Sequence, residues 1–93
     1  EGTIIHNAKI RNSIVRSGVM IENNVSVEDC IIMDHTVLKK GCRLRRVIVD
    51  KLNVVKEGEQ IGFDPDKDHL ICHIDPSGIA ILPRGGRPTK GNR

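Results

Sequence analysis

Residues 19–50 read VMIENNVSVEDCIIMDHTVLKKGCRLRRVIVD, and this stretch decides the fold. Polar residues recur in it about every six residues, with aliphatic residues between them, and the same spacing extends from about residue 8 to residue 62. The polar positions are Glu22-Asn23, Glu28-Asp29, Asp34-His35, Lys39-Lys40, Arg45-Arg46, Lys51 and Glu57-Gly58. A six-residue unit cannot bury a face alone, so successive units are predicted to wind into a coil whose turns stack on one core.

The aliphatic residues between the polar corners are expected to face inward. They form pairs four residues apart, and the frame slips by one residue between the third pair and the fourth. The pairs are Ile21/Val25, Val27/Ile31, Met33/Val37, Leu38/Cys42 and Leu44/Ile48. A helix would drift out of phase, because its apolar period of 3.6 residues does not match a repeat of six. Asp50 falls where an aliphatic residue is expected, which marks either a local irregularity such as a bulge or a functional departure.

The composition favours strands as well. The 93 residues include 13 Ile and 9 Val but only 5 Leu and 2 Ala, and β-branched residues suit strands better than helices. Phe63 is the single aromatic residue, which argues against a surface that stacks bases or sugars. The predicted fold class is therefore all-β, with a parallel β-helix of hexapeptide repeats over residues 1–62, and no nucleic-acid partner is expected.

Residues 63–83 are predicted to form a terminal loop and a hairpin that caps the coil. The runs HLICHI at 69–74 and IAILP at 79–83 are typical of strands, and Asp75-Pro76-Ser77-Gly78 between them is typical of a turn. A hairpin here would cover apolar core and strand edges that an open coil exposes. Residues 84–93 are rich in Gly and Pro and carry four cations, so they are predicted to be a flexible basic tail.

The cysteines and the N-terminus bear on the compartment and on the completeness of the chain. Cys30, Cys42 and Cys72 are odd in number and lack zinc-site spacing, so we expect small buried thiols in a reducing, cytoplasmic compartment. No signal peptide or membrane-spanning stretch is recognised, so no membrane partner is expected. Because the sequence starts at Glu1 and enters a strand pattern at once, we expect it to be a piece of a longer protein.

Candidate metal ligands and catalytic residues are few. His69 and His73 would lie on one face of a strand but too far apart for one ion, so solvent-facing imidazoles are the favoured interpretation. Asp64, Asp66 and Asp68 alternate, but they lack the glycine and distal glutamate of a calcium loop, and an ordinary acidic turn is favoured. We therefore predict no catalytic residue, no metal site and no cofactor in this chain.

Residues 39–51 carry the densest positive charge in the sequence. The charged side chains are Lys39, Lys40, Arg43, Arg45, Arg46 and Lys51, with Asp50 as the single acid. Such a group can attract a phosphorylated ligand. In a coil, however, residues six apart lie on successive sides, so these charges wrap around it. A focused anion site and simple solvated corners both remain open.

Three longer stretches resemble a known family. GCRLRRVIVDKLNVVKEGEQIGFDPDKD at 41–68 and SGIAILPR at 77–84 resemble the C-terminal domain of bacterial glucose-1-phosphate adenylyltransferases, and VRSGVMIENNVSVEDCIIMDHTVL at 15–38 is similar to the opening coils of that domain. The resemblance implies a left-handed β-helix. It also implies a parent enzyme that makes ADP-glucose and pyrophosphate from ATP and glucose 1-phosphate, with Mg²⁺, in glycogen synthesis. Its catalytic motifs belong to an N-terminal domain absent here, so this chain alone is expected to be inactive.

The resemblance also implies the partners and the site. The partners are the N-terminal catalytic domain, the other subunits of a homotetramer, and sugar-phosphate or nucleotide effectors. Lys51 matches a basic effector-binding position of the family, with Lys in place of Arg, and Arg84 matches a second one directly. A third basic position falls on Pro88, so Arg87 or Lys90 would have to replace that contact. Arg46 is included as a neighbour on charge grounds alone.

Two other functions fit the hexapeptide pattern. One is an acyltransferase or a carbonic-anhydrase-like trimer, in which His6 or His35 would meet residues of another subunit. The other is a purely structural fragment without a ligand of its own.

Overall fold

The computed structural model describes residues 2–84, and this part of the chain is almost entirely β. Eleven short strands are followed by one short helix and two further strands. The elements are β1 Ile4–Ile5, β2 Lys9–Arg11, β3 Ile14–Val15, β4 Met20–Ile21, β5 Ser26–Glu28, β6 Ile31–Ile32, β7 Val37–Leu38, β8 Arg43–Arg45, β9 Val47–Val49, β10 Val54–Val55, β11 Gln60–Ile61, α1 Pro65–Asp68, β12 His73–Ile74 and β13 Ala80–Leu82.

The strands form three sheets, and each turn of the chain contributes one strand to each sheet. Sheet A has the order β1-β4-β7-β10, sheet B has β11-β8-β5-β2, and sheet C has β12-β13-β9-β6-β3. Every pairing is parallel except that of β12 with β13. Because consecutive strands from β1 to β11 lie in different sheets and every third strand returns to the same one, the predicted parallel β-helix is confirmed.

From β2 onwards each complete coil contains 17 residues, not 18, and the step from β1 to β4 is 16. Met20 pairs with Val37 and Val37 with Val54, which are steps of 17. The side from sheet B to sheet C is one residue shorter than the others, and residues in the left-handed conformation make that tight corner: Asn12, Asp29 and Arg46, with φ of 49°, 54° and 55°. The six-residue period predicted from sequence therefore holds on two sides of the coil, and the third side has five residues.

This short side corrects the predicted core. Ile31 is exposed and Ile48 only partly buried, while the inward positions belong to Cys30 and Ile32 in one coil and to Val47 and Val49 in the next. Met33 and Val37 are also only partly buried. The predictions that Ile21, Val25, Val27, Leu38, Cys42 and Leu44 face inward are confirmed. Small β-branched and aliphatic side chains stack in columns along the axis and fill the narrow core.

The C-terminal region departs from the sequence prediction over residues 69–72. These residues belong to the turns after α1, so only the last two residues of the predicted strand 69–74, His73 and Ile74, form strand. Asp64 starts the helix because its carboxylate accepts a hydrogen bond from the Asp66 amide at 3.1 Å, and Pro65 suits the first helical position. The acidic loop predicted for residues 63–68 is thus largely this one capped helical turn.

The predicted turn at residues 75–78 is present and joins β12 to β13. The Gly78 amide donates to the Asp75 carbonyl at 2.8 Å, and the Asp75 carboxylate accepts from the amide and the hydroxyl of Ser77 at 2.9 Å and 2.6 Å. The second strand of this hairpin also extends sheet C, because β13 pairs with β9 in parallel. Ala80 and Leu82 are buried against the last full coil. Of the basic tail predicted for residues 84–93, only Arg84 lies within the described residues.

Candidate anion-binding corner

Lys51 and Arg84, two of the three predicted site residues, come to the same corner of the coil. In the pairing of β13 with β9, Leu82 lies opposite Val49, and the Asp50 amide donates to the Leu82 carbonyl at 3.0 Å. Lys51 and Arg84 each follow the last paired residues by two positions, so they leave β9 and β13 at the same end of sheet C. Neighbouring strands are about 4.8 Å apart, so the two backbones lie in adjacent layers. We call these two residues, with Asp50 and Pro83 that precede them, the β9 corner.

The backbone of the β9 corner is held by a buried side chain that the sequence analysis did not single out. Asn53 is 1% exposed, and its Nδ2 donates to the carbonyls of Asp50 at 2.9 Å and Pro83 at 2.7 Å. Thr36, one coil earlier, donates from its hydroxyl to the same Asp50 carbonyl at 3.3 Å. The sequence does carry a signal for Asn53. Val19, Thr36 and Asn53 are 17 residues apart and so stack in one inward-facing column, where a polar side chain is unexpected.

Asp50 has a local structural role at this corner. Its Oδ1 accepts a hydrogen bond from the Lys51 amide at 2.7 Å, and its side chain is half-buried. The aliphatic residue expected at this position is absent because the position lies at the end of β9, where the chain turns out of the sheet. The departure noted in the sequence thus shapes the corner that carries Lys51.

Both cations of the β9 corner are exposed, and within residues 2–84 neither forms an ion pair. The two ion pairs of this part of the chain are Arg16 with Asp34 at 3.4 Å and Lys39 with Glu22 at 3.9 Å. Asp34 lies one coil below Lys51, and its charge is engaged by Arg16. The corner therefore presents two positive charges from two separate strands to solvent, and an oxyanion can approach both of them.

Arg46, the third predicted site residue, lies elsewhere. It occupies the corner between β8 and β9, at the opposite end of β9 from Lys51. The two are five positions apart along the chain, which at full extension is about 16 Å. Its Nη2 donates to the Ser77 carbonyl at 3.0 Å, so Arg46 ties the hairpin turn to the coil. The structure does not bring Arg46 to Lys51 and Arg84.

Arg46 also lines a cavity of about 340 Å³ beside a buried carboxylate. Asp68, at the end of α1, is 4% exposed, and its Oδ2 accepts a hydrogen bond from the Gly62 amide at 2.9 Å. Burial raises the pKa of Asp68; the Gly62 amide opposes this rise, and the charge of Asp64 adds to it. The carboxylate fixes the chain reversal between β11 and α1.

We expect Asp68→Asn to change how stability depends on pH. The folded pKa of Asp68 lies above its unfolded value of about 3.9, so between the two values the folded state binds more protons. The free energy of unfolding therefore falls as pH rises through that window. Asparagine keeps an oxygen acceptor for the Gly62 amide but does not titrate. Urea unfolding from about pH 3 to about pH 7 should show wild type losing stability relative to the variant.

The matched control for this experiment is Asp66→Asn, which replaces an exposed carboxyl of the same helix. Identical pH profiles for wild type and Asp68→Asn would contradict the effect assigned to burial of Asp68.

The remaining titratable residues form no further cluster. Within residues 2–84 there is no group of three His, Cys, Asp or Glu side chains placed to hold a metal ion. His69 ends α1 and His73 lies in β12, and both are exposed. The three cysteines are buried and form no disulfide with one another, and burial raises the pKa of Cys42 to about 12. The same part of the chain has no helix long and apolar enough to cross a membrane.

Comparison with known proteins gives a consistent picture. A family model described as "GlmU-like, C-terminal hexapeptide" matches residues 1–82. A glucose-1-phosphate adenylyltransferase of Thermodesulfovibrio yellowstonii is 53% identical over 87 residues, which cover 94% of this chain and 21% of that protein. Relatives of the same name from Alkalilimnicola ehrlichii and Corynebacterium diphtheriae are 35% and 34% identical over 87% and 88% of the chain. The chain spans about a fifth of the length of these curated relatives.

Proposed function

Because the chain belongs to the GlmU-like C-terminal hexapeptide family, we propose that it is the regulatory and oligomerising β-helix domain of a glucose-1-phosphate adenylyltransferase. The parent reaction would convert ATP and glucose 1-phosphate into ADP-glucose and pyrophosphate, in the cytoplasm, as a step of glycogen synthesis. The relatives that carry this name are about five times as long as the chain, which supports a larger parent.

The described residues do not fit the ATP and Mg²⁺ of that reaction. They offer no cluster of acidic side chains for the metal, and their glycines lie singly at coil corners and turns rather than in a phosphate-binding loop. We therefore assign the binding of the substrate ATP and of Mg²⁺ to a catalytic domain of the parent and derive no chemical step in this chain.

The regulatory part of the proposal is supported by the positions of Lys51 and Arg84, which are both exposed and follow the ends of the neighbouring strands β9 and β13. A sugar phosphate or nucleotide phosphate placed there would meet an ammonium point charge and a guanidinium fork at once. The two cations come from different strands, so the ligand would bind fully only when β13 is docked on β9. A ligand that binds only the docked state stabilises that state. Effector binding would thus stabilise the docking of the C-terminal hairpin on β9.

The outer faces of the coil support the oligomerising part. Sheets A and C each carry an outward column of aliphatic side chains, whereas the matching column of sheet B is polar. The column of sheet A is Ile4, Met20, Val37 and Val54; that of sheet C is Ile14, Ile31, Ile48 and Ile81; that of sheet B is Lys9, Ser26, Arg43 and Gln60. Exposed apolar stripes of this kind favour protein contacts. We propose that they face the catalytic domain and other subunits of a homotetramer.

The effector assignment predicts a loss of response in two variants of the full-length enzyme. Charge-assisted hydrogen bonds contribute about 1.5–3 kcal/mol, so Lys51→Ala and Arg84→Ala should each raise the half-saturating concentration of a sugar-phosphate or nucleotide effector about tenfold or more. Activity assays with fructose 1,6-bisphosphate and with AMP would measure the change. Lys56→Ala and Arg45→Ala, which remove exposed cations away from the β9 corner, are the matched controls. An unchanged response in both Lys51→Ala and Arg84→Ala would refute the assignment.

A further inference from the structure

Asn53 is the most polar residue of its inward-facing column. Its column contains Val19 and Thr36 in the preceding coils, and all three residues are buried. Asn53 Oδ1 has no hydrogen-bond partner within residues 2–84, although the atom is buried. A buried acceptor without a partner is unfavourable, and Val19 shows that the column accepts an apolar residue. For packing alone, valine would suit the position better.

The amide nitrogen of Asn53, in contrast to its oxygen, makes two hydrogen bonds. It donates to the carbonyl of Asp50, which precedes Lys51, and to the carbonyl of Pro83, which precedes Arg84. One NH₂ group thereby joins the two backbone segments that carry the cations of the β9 corner. The shorter of the two bonds, 2.7 Å, is the one to Pro83.

No ladder hydrogen bond holds the segment beyond Leu82. The last bond of the ladder runs from the Asp50 amide to the Leu82 carbonyl, and the Asp50 carbonyl, which a parallel ladder would offer to the Arg84 amide, accepts from Asn53 and Thr36 instead. Within residues 2–84, the bond from Asn53 is the only hydrogen bond that Pro83 or Arg84 makes. The position of Arg84 relative to Lys51 therefore depends on Asn53.

We propose that Asn53 is a positioning residue for a phosphate ligand at the β9 corner, acting through the backbone of Arg84. This inference rests on the proposed function, because it assumes that Lys51 and Arg84 bind the effector. Asn53 does not touch the ligand. It joins the two backbone segments that carry the cations, and without it Arg84 must lose conformational freedom on binding.

The test uses Asn53→Val in the full-length enzyme, since Val19 already occupies this column. The half-saturating concentration of fructose 1,6-bisphosphate should rise about tenfold. The KM for glucose 1-phosphate without effector and the Tm should stay at their wild-type values. Trypsin should also cut faster after Arg84, which measures the release of this segment without any ligand. Asn53→Thr is the conservative variant: Thr36 donates to Asp50 in the next layer, and Pro83 takes the place of Asp50 one layer above, so a threonine at position 53 should keep the bond to Pro83 and most of the effector response.

Thr36→Val is the matched control, because it removes a buried hydroxyl of the same column that does not contact Pro83. It should leave the effector response and the tryptic cleavage rate unchanged. If Lys51→Ala and Arg84→Ala weaken the response but Asn53→Val does not, the positioning role is wrong and the proposed function stands. If Lys51→Ala and Arg84→Ala have no effect, the proposed function itself fails.

Discussion

Replacing Gly62 by alanine is expected to destabilise the domain by about 3–5 kcal/mol. Gly62 follows β11, and its backbone φ of 99° is one that residues with a side chain rarely adopt. A Cβ atom there would also overlap the carbonyl oxygen of Arg45. Arg45 cannot move away easily, because β8 is an interior strand of sheet B, paired with β5 and β11. The glycine is therefore required by the close approach of the chain to the coil below it.

Gly58→Ala is the matched control for this prediction. Gly58 also has a positive φ, 72°, but no atom lies within 4 Å of a Cβ built on it. Replacing Gly58 by alanine should lower the free energy of unfolding only through the unfavourable backbone conformation, by about 1 kcal/mol. Urea unfolding of the two variants of the 93-residue chain would measure the difference. Equal losses of stability would contradict the close approach at Gly62.

The second large effect is expected at Ile32, where replacement by alanine should cost about 2–5 kcal/mol. Ile32 is fully buried in the core, between Val15 below and Val49 above in sheet C. Truncation removes three carbon atoms from a closely packed column whose rigid coils cannot collapse into the space. Chemical unfolding gives the loss directly.

Ile31→Ala makes the same chemical change one residue away. Ile31 is 36% exposed on the outer face of sheet C, so its truncation should cost less than about 1 kcal/mol. The comparison should be repeated at two protein concentrations, because self-association through the outer column would make the loss concentration-dependent. A larger loss for Ile31→Ala than for Ile32→Ala would restore the six-residue frame that the sequence suggested and contradict the 17-residue coil.

The pair Ile31 and Ile32 also shows where sequence reasoning about the fold stopped. Polar corners at a regular spacing were sufficient to predict a coil, and the composition was sufficient to predict strands. The short side of each coil lies in apolar runs, Cys30-Ile31-Ile32 and Val47-Ile48-Val49, in which both inward and outward positions are aliphatic. Without polar contrast, the pattern cannot show which residues face inward. The shorter side became visible only in the pairing.

The candidate site could be predicted only in part, for a related reason. Lys51 and Arg84 were chosen from a family resemblance, and the sequence indicated a hairpin near Arg84. β13 continues sheet C in parallel with β9, and this pairing brings Arg84 to the corner that carries Lys51. Nothing in the local sequence indicates which strand β13 pairs with. Asn53 was missed because its role appears only when residues 17 apart are stacked. Arg46 was included for its charge, and the short side of the coil places it at another corner.

The central claim, a phosphate site formed by Lys51 and Arg84, is tested most directly by a crystal structure of the full-length enzyme with bound fructose 1,6-bisphosphate. The account predicts one phosphate group within hydrogen-bond distance of both Lys51 Nζ and the Arg84 guanidinium, with Asn53 still bonded to the Asp50 and Pro83 carbonyls. A phosphate bound elsewhere, with Lys51 and Arg84 both facing solvent, would contradict it.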